Sequence, residues 1–371
     1  MVNVDWFFYS HRLPIAQEAL RKGYEVHIAT TITEPMMKNS LIKKGLRFHE
    51  ISFDRRGGFI SLIKTFLEIL KLLSKLRPDI LHLVTIQPIL IGGIAARLTN
   101  INKVIYAISG LGHIFINQSF ISLIRRKVVT LMYRIAIQSK HRVVIFQNNN
   151  DKKLLSKACC LSPTETKLIP GSGVDLKKYH FTELPEGTPI ILMASRLLIS
   201  KGVREFIEAA NIIKKNGIKV KFYLVGKIDL LNPLGIDLNS INDWDSNKCI
   251  EYLGYRDDIH RIIQKCHLVV LPSYYPEGLP KVLCEAAACG RAIITTDEPG
   301  CRESIEENIT GLLVPSRNSS KLAEAICKII NDKKKLSEMS VSARSRAEKF
   351  FSIESIVEKH IKIYNYLSGL I

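Results

Sequence analysis

Short apolar runs recur along the chain and alternate with longer stretches in which apolar residues return every third or fourth position. The first set covers residues 26–30, 80–84, 104–108 and 143–146, with helical patterns between them. Strand-length runs separated by helix-length amphipathic ones predict βαβ units and a parallel sheet. The rhythm stops over the polar, Pro- and Gly-containing segment 162–187 and restarts at 189–194, 220–225, 268–271 and 292–295. This predicts an α/β chain of two doubly wound, Rossmann-like domains, the first over 1–165 and the second over 166–351. A terminal helix is expected over 352–371, because Ile353, Ile356, Val357, His360, Ile361, Ile363 and Tyr364 cluster at three- and four-residue spacings; it should pack back on the first domain. Residues 230–248, rich in Asn, Asp and Ser and without helical period, read as a surface loop.

Composition narrows the classes. Of the 371 residues 46% are hydrophobic and 24% charged, which excludes a mainly disordered, collagen-like or coiled-coil chain. The formal charge of +18 is concentrated: residues 1–150 hold 21 basic and 8 acidic groups, and residues 101–150 hold seven basic groups and no acid. Such a field suits phosphorylated ligands, an anionic membrane or nucleic acid. The sequence carries no nucleic-acid module signature, so nucleic acid is set aside. Residues 59–77 and 114–142 combine Phe66, Leu70, Leu73, Phe120, Ile124 and Leu131 with Lys and Arg, a pattern that fits either core-facing helices or an amphipathic surface on anionic lipid.

The eight cysteines form no CxxC pair and have no paired-His spacing, so neither zinc nor a redox motif is expected. The start MVNVDWFFYSHR lacks the pattern of a signal peptide, and the uncharged stretch over residues 80–96 is too short and polar to span a bilayer. The expected location is the cytoplasm, with peripheral contact to the inner face of the membrane. There is little room before Trp6 for a full first strand, and a few residues are expected ahead of Met1.

Three segments carry candidate chemistry. In LPSYYPEGLPKVLCEAAACG, residues 271–290, a strand end leads through a Pro- and Gly-bounded turn into a helix begun near Pro280. Glu277 falls on the loop and Glu285 in the helix, near the carboxyl end of a parallel strand, where open α/β sheets bind ligands. Carboxylates there can accept hydrogen bonds from ribose hydroxyls, while loop amides and a helix N-terminus favour anionic oxygens. In ASRLLISKGV, residues 194–203, Arg196 and Lys201 leave a strand end five residues apart and can converge on one diphosphate. In IPGSGVD, residues 169–175, Gly171 and Gly173 permit close backbone approach to a ligand or make a structural turn.

The succession RLLISKG, YLVGKID, YLGYRDDI, LPSYYPEGLPKVLCEAAACGRAIITTDEPGCRESI and GLLVPSRN, over residues 170–314, resembles the family 4 retaining glycosyltransferases of GT-B fold, in particular bacterial capsule and lipopolysaccharide assembly enzymes. WFFYSHRLPIA, KGYEVHIAT, PDILH and SGLG match more loosely. The resemblance implies two Rossmann-like domains facing across a cleft and a UDP-sugar donor, with no cofactor and no metal. It implies that Arg196 and Lys201 contact the diphosphate, Glu285 the ribose, and Glu277 with the Gly278 and Leu279 amides the sugar or phosphate. Gly171 and Gly173 would border the cleft. Relatives carry a His before a Gly at the end of the fourth strand, where this chain has Ser109; His113, four residues on, is the other candidate for that place. The Gly-rich turn after the first strand is absent, DWFFYSHR standing in its place, and the resemblance implies that His11 and Arg12 border the acceptor site. The implied reaction moves a hexose or N-acetylhexosamine to a lipid-linked saccharide. A nucleotide-sugar epimerase of the same fold is the alternative.

Overall fold

A computed structural model describes residues 1–53, 58–112, 120–229, 232–246 and 249–370. The chain divides into two units, one comprising Met1–Gly173 with Ile353–Ile371, the other Val174–Ser352.

In the first unit β1 (His27–Thr30) pairs in parallel with β2 (Arg47–Glu50), and β3 (Leu81–Val84), β4 (Lys103–Ala107), β5 (His141–Phe146) and β6 (Thr166–Leu168) form a parallel sheet in that order. Met1 and Val2 lie between the two sets: the Val2 amide donates to Ala29 and the Val84 amide to Met1, both at 3.0 Å. The boundary expected at 165/166 falls at 173/174 because β6 adds to β5 through Val144, Ile145 and Phe146. The terminal helix, Ile353–Ser368, packs on Leu13–Arg21 within the same unit; the Tyr24 hydroxyl donates to Asn365 at 2.9 Å, and Ile356 and Ile363 are buried. The two candidate lipid-facing helices are Gly58–Leu76 and Phe120–Ala136. In the former Leu73 is buried and Phe66 and Leu70 pack on the core, so those residues are core rather than surface. A different apolar set is exposed, Phe59, Ile60, Ile63 and Leu67, alongside Lys64, Lys71 and Lys75. In the second helix Leu131 is exposed with Val128 and Ile135.

The second unit holds β7 (Ile190–Ala194), β8 (Lys221–Val225), β9 (Glu251–Tyr252), β10 (Leu268–Leu271), β11 (Ala292–Thr296) and β12 (Gly311–Val314), all parallel, in spatial order β12-β11-β10-β7-β8-β9. β10 and β11 are uninterrupted apolar or small runs because both faces are covered. Segment 230–248 contains a helix, Leu238–Ser246, and is not simply a loop. Asp237 starts it by accepting from the Ser240 amide at 2.8 Å and hydroxyl at 2.7 Å, and buried Ile241 holds it down. That cap is visible in the sequence, but the polar composition around it masks the period.

Candidate functional site

From β7 the chain adds β8 and β9 on one side, then returns to place β10, β11 and β12 on the other. The strand order therefore reverses between β7 and β10, the position at which open parallel sheets hold ligands beyond their carboxyl ends. The two segments that leave those ends are Ser195–Lys201 and Pro272–Pro280, so topology brings together the two motifs that carry the candidate residues.

Two glycines set how closely they meet. Gly202 has φ +80°, and a Cβ there would lie 2.2 Å from the Pro272 carbonyl oxygen. Gly300 has φ +84°, and a Cβ would lie 2.3 Å from the Gly278 carbonyl and 2.5 Å from that of Glu277. Both positions need glycine, because the backbones of three turns touch there. Hydrogen bonds join the same turns. The Ser200 carbonyl accepts from the Tyr274 amide at 3.0 Å and the Ser273 hydroxyl at 3.3 Å, and the Thr296 hydroxyl donates to the Ser273 carbonyl.

Inside this framework Lys201 Nζ lies 2.6 Å from Glu277 Oε2, with the two side chains only 11% and 14% exposed. The Ser273 hydroxyl donates to the other Glu277 oxygen at 2.8 Å. The carboxylate is therefore held at both oxygens, and the lysine is a partly desolvated cation at the strand switch. Arg196, on the same segment, is exposed. Glu285 sits in the helix Lys281–Ala288, whose Leu283, Ala286, Ala287 and Ala288 are buried and carry it into the unit. It is itself 7% exposed. Burial raises its pKa above the ordinary carboxyl value, opposed by Lys281, 3.9 Å away, and by a hydrogen bond donated from the Tyr179 hydroxyl. Tyr179 in turn is shifted upward by burial and by that carboxylate.

The structure thus brings Lys201 and Glu277 into contact and places Glu285 in a separate cluster with Tyr179 and Lys281. Gly171 and Gly173 belong to the first unit. Gly173 has φ +82°, and a Cβ would meet Ile353 Cα at 2.7 Å, so the close approach it permits is to the chain's own return segment. His113 lies outside the described residues. Ser109 is described, and its Oγ is buried without a hydrogen-bond partner. His11 stacks on Phe7 at 4.2 Å, and Arg12 is buried. Sequence reasoning missed Ser273 and Tyr179. Ser273 could have been found beside Glu277 in LPSYYPEG; nothing in the sequence links Tyr179 to Glu285.

Comparison with known proteins agrees with this architecture. The model "Glycosyl transferases group 1" matches residues 177–346, and "Glycosyl transferase 4-like" matches residues 1–148. The two matches fall one in each unit, and the chain is a glycosyltransferase of GT-B fold. It is 29% identical over 370 residues to N,N'-diacetylbacillosaminyl-diphospho-undecaprenol alpha-1,3-N-acetylgalactosaminyltransferase of Campylobacter jejuni, covering 96% of this chain and 95% of that one. It is 28% identical over 327 residues to UDP-Gal:alpha-D-GlcNAc-diphosphoundecaprenol alpha-1,3-galactosyltransferase of Escherichia coli, covering 84% and 81%. Among solved structures a Rickettsia africae glycosyltransferase superposes with TM-score 0.77 at 21% identity over 99% of this chain and 97% of its own. Anabaena HepE in complex with UDP superposes with TM-score 0.75 at 19% identity over 95% of each chain.

Proposed function

We propose that this glycosyltransferase moves a hexose or N-acetylhexosamine from a UDP-sugar, with retention of anomeric configuration, to a saccharide carried on a lipid diphosphate during assembly of a cell-surface polysaccharide. The observation that carries the donor half of this reading is the Lys201–Glu277 pair at the strand switch of the second unit. Two relatives support the acceptor half, since by name they act on saccharides linked to diphospho-undecaprenol. The relatives named above are transferases, which gives the epimerase alternative no support.

In this reading the diphosphate lies across the ends of β7 and β10. Its oxygens compete with Glu277 for Lys201, Arg196 closes on it from the exposed side, and the Gly278 and Leu279 amides complete the anion site. Cleavage of the sugar–phosphate bond builds charge on the leaving diphosphate, and a cation fixed in a partly desolvated setting stabilises that charge more than the ground state. This assigns the task to side chains and invokes no metal. Glu277 faces the transferred sugar, and Glu285 accepts from the ribose hydroxyls. In the first unit His113, or Ser109 in its place, is the candidate for a substrate contact, and His11 for the acceptor.

The basic first unit supplies the membrane contact. Phe59 is 76% and Ile60 81% exposed at the start of a helix that also exposes Lys64, Lys71 and Lys75, an arrangement suited to the anionic inner face of a bilayer. No described helix is long and apolar enough to cross a membrane.

The test is product formation from a panel of UDP-sugars with a detergent-dispersed lipid-diphosphate saccharide, followed by NMR of the new linkage. The reading predicts acceptor-dependent release of UDP and a product with the donor's anomeric configuration. Conversion of the UDP-sugar without acceptor would overturn it in favour of the epimerase.

A further inference from the structure

The Ser273 hydroxyl lies between the two turns that carry the donor residues. It donates to Glu277 Oε1 at 2.8 Å, stands 3.3 Å from the Ser200 carbonyl, and accepts from the Tyr275 amide at 3.3 Å. Ser200 directly precedes Lys201, whose Nζ holds the other Glu277 oxygen at 2.6 Å. One short side chain thus reaches both the segment of the cation and the carboxylate itself.

A serine hydroxyl has a single proton to give. The charged acceptor at the shorter distance takes it, and the Ser200 carbonyl stands as a second acceptor. The hydroxyl cannot travel, because its backbone is pinned. The Thr296 hydroxyl donates to the Ser273 carbonyl, the Tyr274 amide donates to the Ser200 carbonyl at 3.0 Å, and Ser273 is fully buried. The Glu277 backbone is packed as closely, since a Cβ on Gly300 would meet its carbonyl at 2.5 Å. What can still turn is the Glu277 side chain, and its two restraints differ in kind. Lys201 is a point charge on a flexible four-carbon stem, whereas Ser273 is a fixed donor.

If the donor lies as proposed above, the difference matters when the diphosphate arrives. Lys201 is drawn to the phosphate oxygens, and Glu277 loses its counter-charge beside an anion that repels it. We propose that Ser273 is the positioning residue that keeps Glu277 in place once Lys201 has turned to the diphosphate, so that the carboxylate stays directed at the transferred sugar. The Lys201–Glu277 pair is then the resting arrangement, and the Ser273–Glu277 hydrogen bond is the one that persists into the transition state. Ser273 touches no substrate and acts through Glu277.

The experiment is a double-mutant cycle between Ser273 and Glu277. It reads kcat for UDP release from the UDP-sugar panel with the detergent-dispersed lipid-diphosphate saccharide, and Kd for UDP by calorimetry on the same proteins. Ser273→Ala should lower kcat about tenfold or more, the range for a hydrogen bond to a charged group, and leave Kd for UDP nearly unchanged. In the Glu277→Ala background the same substitution should lower kcat no further, because its partner is already gone. Ser273→Cys fills nearly the same space with a much weaker donor; it should repeat the loss, and it carries the test if the alanine variant melts early. Losses that add in the double variant, kcat unchanged in both single Ser273 variants, or a loss confined to UDP affinity would overturn the proposal. Absence of UDP binding and turnover in the parent protein would overturn the donor reading and this proposal with it, whereas a parent that binds UDP and turns over with kcat indifferent to Ser273 overturns the positioning role alone.

Discussion

Arg291 in the second unit and Arg12 in the first are both buried guanidiniums, and they are treated in opposite ways. Arg291 is fully buried and donates to the carbonyls of Ile263, Thr182, Cys289, Gly290, Glu183 and Gln264 and to the Thr182 hydroxyl. It ties residues 182–183, which lead into β7, to the elements on either side of β10 and to the turn before β11. Arg12 leaves two nitrogens unpartnered beside a buried amine. A saturated buried cation recovers its desolvation cost from the carbonyls around it, whereas an unsaturated one leaves that cost uncompensated. In the second unit Lys201 and Glu277, two of the groups positioned for a ligand, meet at the strand switch.

The largest effect should come from the donor site. Lys201→Ala is expected to lower kcat by about 10²- to 10³-fold with a smaller change in KM, because the lysine acts mainly on charge that grows in the transition state; steady-state kinetics would show it. An equal loss in kcat/KM arising only from KM would move Lys201 to ground-state binding.

Next comes the contrast between the arginines. Removing the Arg291 guanidinium takes a donor from six carbonyls, of which those of Ile263, Cys289 and Gly290 keep another, so Arg291→Met should destabilise by about 3 kcal/mol in denaturant unfolding. Arg12→Met, which removes a poorly satisfied charge, should cost less than about 1 kcal/mol in the same measurement. Comparable losses from both would break the comparison.

A smaller effect links stability with function at Glu285. Its raised pKa means that the folded state holds a proton to higher pH than the unfolded chain does. Its contribution is therefore most favourable below the ordinary carboxyl range and is lost as pH rises through the elevated value. Glu285→Gln should make the ligand-free protein more stable at pH 7, flatten that pH dependence, and weaken UDP about tenfold, roughly 1.4 kcal/mol. Calorimetry and melts across pH 4–8 would check all three.

The smallest effect belongs to the exposed ridge of the first unit. Replacing Phe59 and Ile60 by Ser should reduce binding to vesicles containing anionic lipid several-fold, about 1 kcal/mol of lost apolar contact, and leave turnover of a water-soluble acceptor analogue unchanged. Loss of activity on the soluble analogue would tie the ridge to the fold instead.

How much of this was readable from sequence depended on burial. β10 and β11 are buried on both faces and stand out as apolar runs, and the turn that follows β10 is punctuated by Pro276, Gly278 and Pro280. β2, with the sequence RFHE and both ends exposed, carries no such signal, and β9 is two residues long. The amphipathic character of Gly58–Leu76 was evident, but the pattern could not separate Phe66, Leu70 and Leu73, which pack inward, from Phe59, Ile60 and Leu67, which do not. At the site, the residue types and loop positions of Lys201, Glu277 and Glu285 were legible. Their partners were not: Lys201 meets a carboxylate 76 positions away, and Tyr179 meets Glu285 across 106, through a sheet order that no local pattern encodes.

The central claim, that the β7–β10 switch holds a nucleotide-sugar donor, is tested most directly by titrating UDP into the protein and into Glu285→Ala, without added metal, and reading both heat and thermal stability. The account predicts saturable binding with stabilisation of about 2.7 kcal/mol at a hundred times Kd, and a markedly weaker response in the variant. Absence of binding to the parent protein, or identical binding by the variant, would contradict it.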